Sequence, residues 1–274
     1  MRPGRADASK GCLPVRREIL ESFSTVFFRD NIRETVVLSV SEEVPLTIDL
    51  NGRELATLLC SPAYIRNLVT GFLFTSGFLQ RMASIRSLTV DQERWKVLVE
   101  MQEDGLGESV VFKRVYTSGC GKGVLFHNPM DLVGWYRLDD DFYANEKDIF
   151  NLMRTFQKQS QEHILTRGFH SAALASTDEI LIFRDDIGRH NAIDKVVGEA
   201  LYRGIGFSGH ILLTSGRISS EILSKALRCR MPVIAAAGAP TNQAVKIARQ
   251  MNITLLGRVR GSRMSLYSGE ERIC

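Results

Sequence analysis

The chain has no apolar run near the length that spans a bilayer, about eighteen residues, so no membrane-crossing helix is expected. Its first 17 residues carry arginines but no apolar core segment, which is not the pattern of a secretory signal peptide. The chain therefore reads as cytoplasmic, with reduced thiols. Its cysteines are Cys12, Cys60, Cys120, Cys229 and Cys274, and no two lie within four residues of one another. That spacing excludes a zinc ribbon, an iron–sulfur motif and a Cys-x-x-Cys redox pair. No metal site is expected, since one would have to be assembled from scattered residues. Excess charge is also scarce. Lys and Arg number 35 against 31 Asp and Glu, a net +4. This suits an anionic small ligand and is too little to indicate nucleic acid.

What is present is a globular composition: 274 residues, 44% hydrophobic and 24% charged, enough for one large domain or two modest ones. Residues 1–33 lack periodicity and carry many charges, which predicts a flexible arm with at most a short strand or helical turn. Strands are predicted at 35–40, 44–50 and 54–60, with Asn51-Gly52 as a hairpin turn because both residues tolerate positive φ. Ser61-Pro62 reads as an N-cap and first helical residue. Ile65, Leu68, Val69, Phe72 and Leu73 recur at helical spacing, and Gly77 suits the helix end. Strands at 88–90, 95–101 and 110–116 complete a smaller α+β domain over 34–125.

A second domain is predicted over 140–274. Asn145 caps its first helix. Strands at 171–175, 180–183, 210–214, 232–236 and 253–257 then alternate with helices near 193–201, 218–229 and 240–251. Repeated βα units with short turns predict an α/β fold with a mostly parallel sheet. Ligands on such sheets sit at the carboxyl ends of the strands. Three turns fall there: 184–190, 215–217 and 258–263.

The segment Thr117-Ser118-Gly119-Cys120-Gly121-Lys122-Gly123 leaves the Cys120 thiol uncrowded by side chains. Backbone N–H groups of such a turn, with Lys122, favour the nucleophilic thiolate. The alternative is a surface loop that happens to hold a cysteine. A P-loop is excluded, because Gly123 stands where Ser or Thr is required. The stretch Asp185-Asp186-Ile187-Gly188-Arg189-His190-Asn191-Ala192-Ile193-Asp194-Lys195 leaves a strand and enters a helix. Arg189 and His190 suit a phosphate at the helix N-terminus, or the acids pair with Arg189 as a structural network. His170 is either a core group or a partner of His190. Finally, Arg258, Val259, Arg260, Gly261, Ser262 and Arg263 form either a phosphate clamp or a solvated basic loop.

In this order and spacing the motifs resemble the FdhD family of formate dehydrogenase accessory sulfurtransferases. They are Glu42-Glu43-Val44-Pro45-Leu46, Ser61-Pro62, Gly71-Phe72, Ser118-Gly119-Cys120-Gly121, His170-Ser171-Ala172, the stretch from Asp186 to Lys195, Ser215-Gly216-Arg217 and Glu221. The resemblance implies a cytidine-deaminase-like fold for the second domain and a homodimer. It implies that a cysteine desulfurase delivers sulfur as a persulfide on Cys120. The sulfur then passes to a molybdenum (or tungsten) bis-molybdopterin guanine dinucleotide before that client enters formate dehydrogenase. The client-binding stretch of the family falls on Arg258 to Arg263, and no permanent cofactor is implied. One departure is Gly123, which stands where well-studied members carry a second cysteine. A rival reading is a cofactor-binding chaperone without sulfur chemistry. A zinc deaminase is not expected, because Ser171 and Ala172 follow His170 and no Pro-Cys-x-x-Cys is present.

Overall fold

The computed structural model describes residues 19–102, 137–160 and 165–274. Cys12, the strand expected at 110–116 and the Cys120 loop lie outside the described residues.

A hairpin comes first, from β1 (Leu20–Arg29) and β2 (Ile32–Ser41). It corrects the expectation of an arm through residue 33. Asp30 and Asn31, both at positive φ, make its two-residue turn. A four-stranded sheet follows in the order β4-β3-β6-β5. Its strands are β3 (Val44–Leu50), β4 (Arg53–Cys60), β5 (Ile85–Asp91) and β6 (Lys96–Met101). Asn51 and Gly52 form the β3–β4 turn at φ 51° and 78°. Helix α1 (Ile65–Thr75) covers one face with Ile65, Leu68, Val69, Phe72 and Leu73.

The second sheet has six strands in the order β12-β11-β10-β9-β7-β8. They are β7 (His170–Ala175), β8 (Ile180–Asp186), β9 (Ile211–Thr214), β10 (Val233–Ala236), β11 (Thr254–Arg260) and β12 (Arg263–Ser268). Only β9, β10 and β11 pair in parallel; β7 runs antiparallel to both neighbours, as β12 does to β11. The sheet is therefore mixed rather than mostly parallel. The physical reason is loop length, since a link as short as 176–179 can close only an antiparallel pair. Strands β9 and β10 are buried on both faces, hence the apolar runs at 211–213 and 233–236.

Helices α3 (Arg189–Arg203), α4 (Ser220–Arg228) and α5 (Asn242–Met251) cover one face. Helix α2 (Glu146–Gln159) packs Ile149, Leu152, Met153 and Phe156 on the other. Asn145 and Asp148 close the capping box of α2. The two sheets meet through α1 and α3, whose backbones touch. A Cβ on Gly71 would lie 1.8 Å from the Asp194 carbonyl oxygen, and one on Gly198 would lie 1.9 Å from that of Asn67. Only glycine fits at either position.

Candidate functional site

The seam between α1 and α3 is pinned by polar contacts, and most of the Asp186–Lys195 motif serves it. Asp186 and Lys195 are fully buried, with Lys195 Nζ 2.5 Å from Asp186 Oδ2. Lys195 also donates to Ser61 Oγ at 2.8 Å and to the Ser61 carbonyl at 3.2 Å. Ser61 returns two bonds to Asp186 Oδ2, from its N–H at 3.2 Å and its hydroxyl at 3.1 Å. Ser61 therefore does not cap α1, which starts at Ile65 behind Tyr64 at φ 56°. The other Asp186 oxygen takes Gly188 N–H at 2.8 Å and Asn191 Nδ2 at 3.0 Å. Asp194 accepts from Lys225 at 2.6 Å and from Thr75 at 2.7 Å. Asp186 thus pairs with Lys195, and Asp185 accepts from Ser160 at 2.9 Å.

Arg189 and His190 face a different place, the carboxyl end of the second sheet. Strands β8 to β11 finish there, β7 and β12 begin there, and α3, α4 and α5 all start there. The first turn of each helix leaves N–H groups without intrahelical partners, and the three macrodipoles favour negative charge. Glycines keep the floor open. A Cβ on Gly238 would lie 2.4 Å from the Gly216 carbonyl oxygen, so the turns after β9 and β10 touch through backbone. A Cβ on Gly216 would sit 3.1 Å from the Arg189 side chain, which therefore lies along that turn. Ser215 Oγ accepts Ser171 N–H at 2.9 Å and lies 3.4 Å from His170 Nδ1. His190 Nε2 lies 3.0 Å from Glu221 Oε2, on the first turn of α4. This imidazole holds the Glu221 carboxyl below the usual carboxylate range, against the opposing effect of burial.

The expected basic loop is a hairpin tip. Strand β11 continues through Arg260, Gly261 and Ser262 turn at φ 58° for the glycine, and Arg263 opens β12. Arg258, at φ 56°, donates its N–H to the Gly238 carbonyl at 2.9 Å. The pairing of β10 with β11 stops at Leu256, so this tip overhangs the same sheet end. Arg258, Arg260, Gly261, Ser262 and Arg263 are exposed there. Val259 differs: its side chain is buried in the core beneath α2, and its carbonyl accepts Gln157 Nε2 at 3.2 Å. Its side chain has no part in a binding surface. The structure thus brings Arg258, Arg260 and Arg263 to the sheet end that carries Arg189, His190 and Arg217. Glu221 is among the motifs of the resemblance, but its pairing with His190 is legible only in three dimensions.

Two described cysteines are unsuited to nucleophilic work. Cys60 and Cys229 are buried, and burial pushes both thiols far up, so they stay protonated at neutral pH. Cys274 is exposed at the chain end. Among the described residues no helix is long and apolar enough to cross a membrane.

Residues 41–274 match the FdhD/NarQ family. The sulfur carrier protein FdhD of Geobacillus kaustophilus is 36% identical over 235 residues, covering 85% of this chain and 89% of that protein. The same-named protein of Staphylococcus haemolyticus is 36% identical over 261 residues, covering 94% and 98%. That of Bacillus subtilis is 37% identical over 232 residues, covering 84% and 88%. A crystal structure described as a formate dehydrogenase accessory protein from Desulfotalea psychrophila superposes with TM-score 0.75 at 22% identity, over 93% of this chain and 100% of that one, and shows the same fold. With a family match over most of its length and relatives above one-third identity, the chain belongs to the FdhD/NarQ family.

Proposed function

We propose that this chain is a sulfur carrier and sulfurtransferase in the maturation of formate dehydrogenase. Cys120 takes sulfur from a cysteine desulfurase. It passes that sulfur to Mo-bis(molybdopterin guanine dinucleotide), its substrate, before this enters formate dehydrogenase. The observation that carries the reading is the match, over most of the chain, to relatives named sulfur carrier proteins. The basic sheet end supports it, because a dinucleotide with several phosphates suits helix N-termini beside Arg189, His190, Arg217 and Arg258.

In the loading step the Cys120 thiolate attacks the outer sulfur of the desulfurase persulfide. The new S–S bond forms on Cys120, and the desulfurase cysteine leaves as its thiolate. Releasing that outer sulfur as sulfide then takes two electrons. With Gly123 at the second position, the loop itself offers no neighbouring thiol to supply them, so an external thiol does. The burial of Cys60 and Cys229 supports Cys120 as the carrier.

Intact mass after incubation with a desulfurase and cysteine should show one added sulfur, absent in Cys120→Ala. Equal uptake by the alanine variant would sink the reading. Gly123 together with the intact arginines favours a second reading, a cofactor-binding chaperone without sulfur chemistry. It expects Cys120→Ala to restore formate dehydrogenase activity fully in cells lacking the native protein. Under both readings, removing Arg258, Arg260 and Arg263 together weakens guanine nucleotide binding, measured by calorimetry.

A further inference from the structure

Helices α3 and α4 are joined by two charge pairs in register, one turn apart. His190 and Glu221 are each the second residue of their helix, and Asp194 and Lys225 follow four residues later. The deeper rung is structural. Lys225 Nζ lies 2.6 Å from both Asp194 oxygens, and Asp194 also takes the Thr75 hydroxyl of α1 at 2.7 Å. The Asp194 side chain is buried, so this rung ties the helices together without help from the upper one. The upper rung opens on the sheet end. Its two side chains are partly exposed, while the contacting atoms Nε2 and Oε2 are shut off from water. Helix stability does not account for it. A helix N-terminus favours acids, yet the first turn of α3 holds Arg189 and His190 and no acid.

We propose that Glu221 is a positioning residue, which holds the His190 imidazole so that Nδ1 donates to a phosphate of the nucleotide at the sheet end. This rests on the nucleotide reading above. The argument is the proton inventory of the ring. An ionised carboxylate only accepts, so Nε2, 3.0 Å from Glu221 Oε2, holds a hydrogen. A neutral ring then leaves Nδ1 a bare acceptor, which repels a phosphate oxygen. The imidazolium leaves Nδ1 an N–H donor. Phosphate binding therefore selects the charged ring. The other charged or titratable groups here are Arg189 on α3, Lys225 on α4, Arg217 after β9, Arg258 on β11 and His170 on β7. Lys225 is committed to Asp194, and the arginines keep their charge at any working pH. His170, with Nδ1 3.4 Å from Ser215 Oγ, is the other histidine, and a His190 variant separates the two. The sign of the Glu221 effect is diagnostic. By charge alone a carboxylate beside a phosphate opposes it, so removing Glu221 would tighten binding. Acting through His190, its removal loosens binding instead.

The test is calorimetric titration of the full chain with GDP, and with guanosine as the phosphate-free probe. Glu221→Ala should weaken GDP about tenfold and leave guanosine unchanged, and His190→Gln should do the same. The double variant should bind GDP no worse than His190→Gln alone, because Glu221 then has nothing to position. Wild-type affinity for GDP should fall between about pH 6 and pH 9 more steeply than that of His190→Gln, whose slope reports the remaining groups and the nucleotide itself. Should Glu221→Ala misfold by its far-ultraviolet spectrum, Glu221→Gln decides, since it keeps the shape and should still lose affinity. Unchanged or tighter GDP binding in the Glu221 variants would overturn the inference. So would an equal loss for guanosine, additive losses in the double variant, or parallel pH slopes. Each of these leaves the nucleotide reading standing, whereas a wild type that does not bind GDP overturns both.

Discussion

Replacing Lys195 by Met tests whether the buried pair at the seam holds the two sheets together. Met keeps the length of the side chain but removes the charge. In the wild type Nζ lies 2.5 Å from Asp186 Oδ2, and neither side chain reaches water. In the variant Asp186 keeps four donors: Ser61 N–H, Ser61 Oγ, Gly188 N–H and Asn191 Nδ2. These are dipoles, and no cation balances the carboxylate. Breaking a buried pair from one side costs about 3–5 kcal/mol, a large part of a typical stability of about 5–15 kcal/mol. At about 2–4 °C per kcal/mol for a chain of this size, the melting midpoint should fall by roughly 10 °C. Urea unfolding followed by tryptophan fluorescence gives the free energy directly. Asp186→Asn should cost a similar amount, because it strands Lys195. The double variant should lie within about 2 kcal/mol of wild type, since no lone charge remains buried. A Lys195→Met cost below about 1 kcal/mol, or strictly additive costs in the double variant, would refute the reasoning.

The α1–α3 contact should not tolerate a methyl group: Gly71→Ala or Gly198→Ala meets a carbonyl oxygen inside 2 Å and should cost at least about 1–3 kcal/mol in the same urea assay. Glu221 titrates below its unfolded value, so its pairing with His190 adds stability above the usual carboxylate range and loses it as pH falls through the lowered value. Glu221→Gln should therefore lower the melting temperature near neutrality, with the difference from wild type shrinking as the solution is acidified; a pH-independent difference would count against the pair. In native protein a thiol reagent should reach Cys274 quickly, while Cys60 and Cys229 should react only as fast as the chain opens; prompt modification of either, read by peptide mass, would contradict their burial.

Local signals carried much of the fold. The Asn51-Gly52 turn, the Asn145 cap, Gly77 after α1 and the apolar stripe of α1 all stand where residue chemistry puts them. What failed was decided at long range or under-read nearby. Ser61 looks like a cap, but Asp186, 125 residues away, takes its hydroxyl. The Asp186–Lys195 motif reads as binding chemistry because it is dense in charge, yet much of that charge is consumed by the seam. Only Arg189 and His190 turn toward the sheet end. The first hairpin was legible: Phe23, Thr25 and Phe27 alternate toward Asp30-Asn31, which both tolerate positive φ. The mixed sheet was legible too, in the shortness of the 176–179 link. Val259 shows the limit of reading a basic stretch as one surface, since strand alternation sends every second side chain the other way.

Ser61 and Lys195 are 134 residues apart in the chain. Synthesis at about 5–20 residues per second leaves roughly 7–27 seconds between them on the ribosome. During that interval α1 and then the completed first sheet emerge without the helix that closes the seam. The seam face of α1, with Gly71 and Thr70, has nothing to dock on, and the Asp186 carboxylate that will bind Ser61 has not been made. The amino-terminal half is thus a nascent-chain client by construction, committed early and closed late.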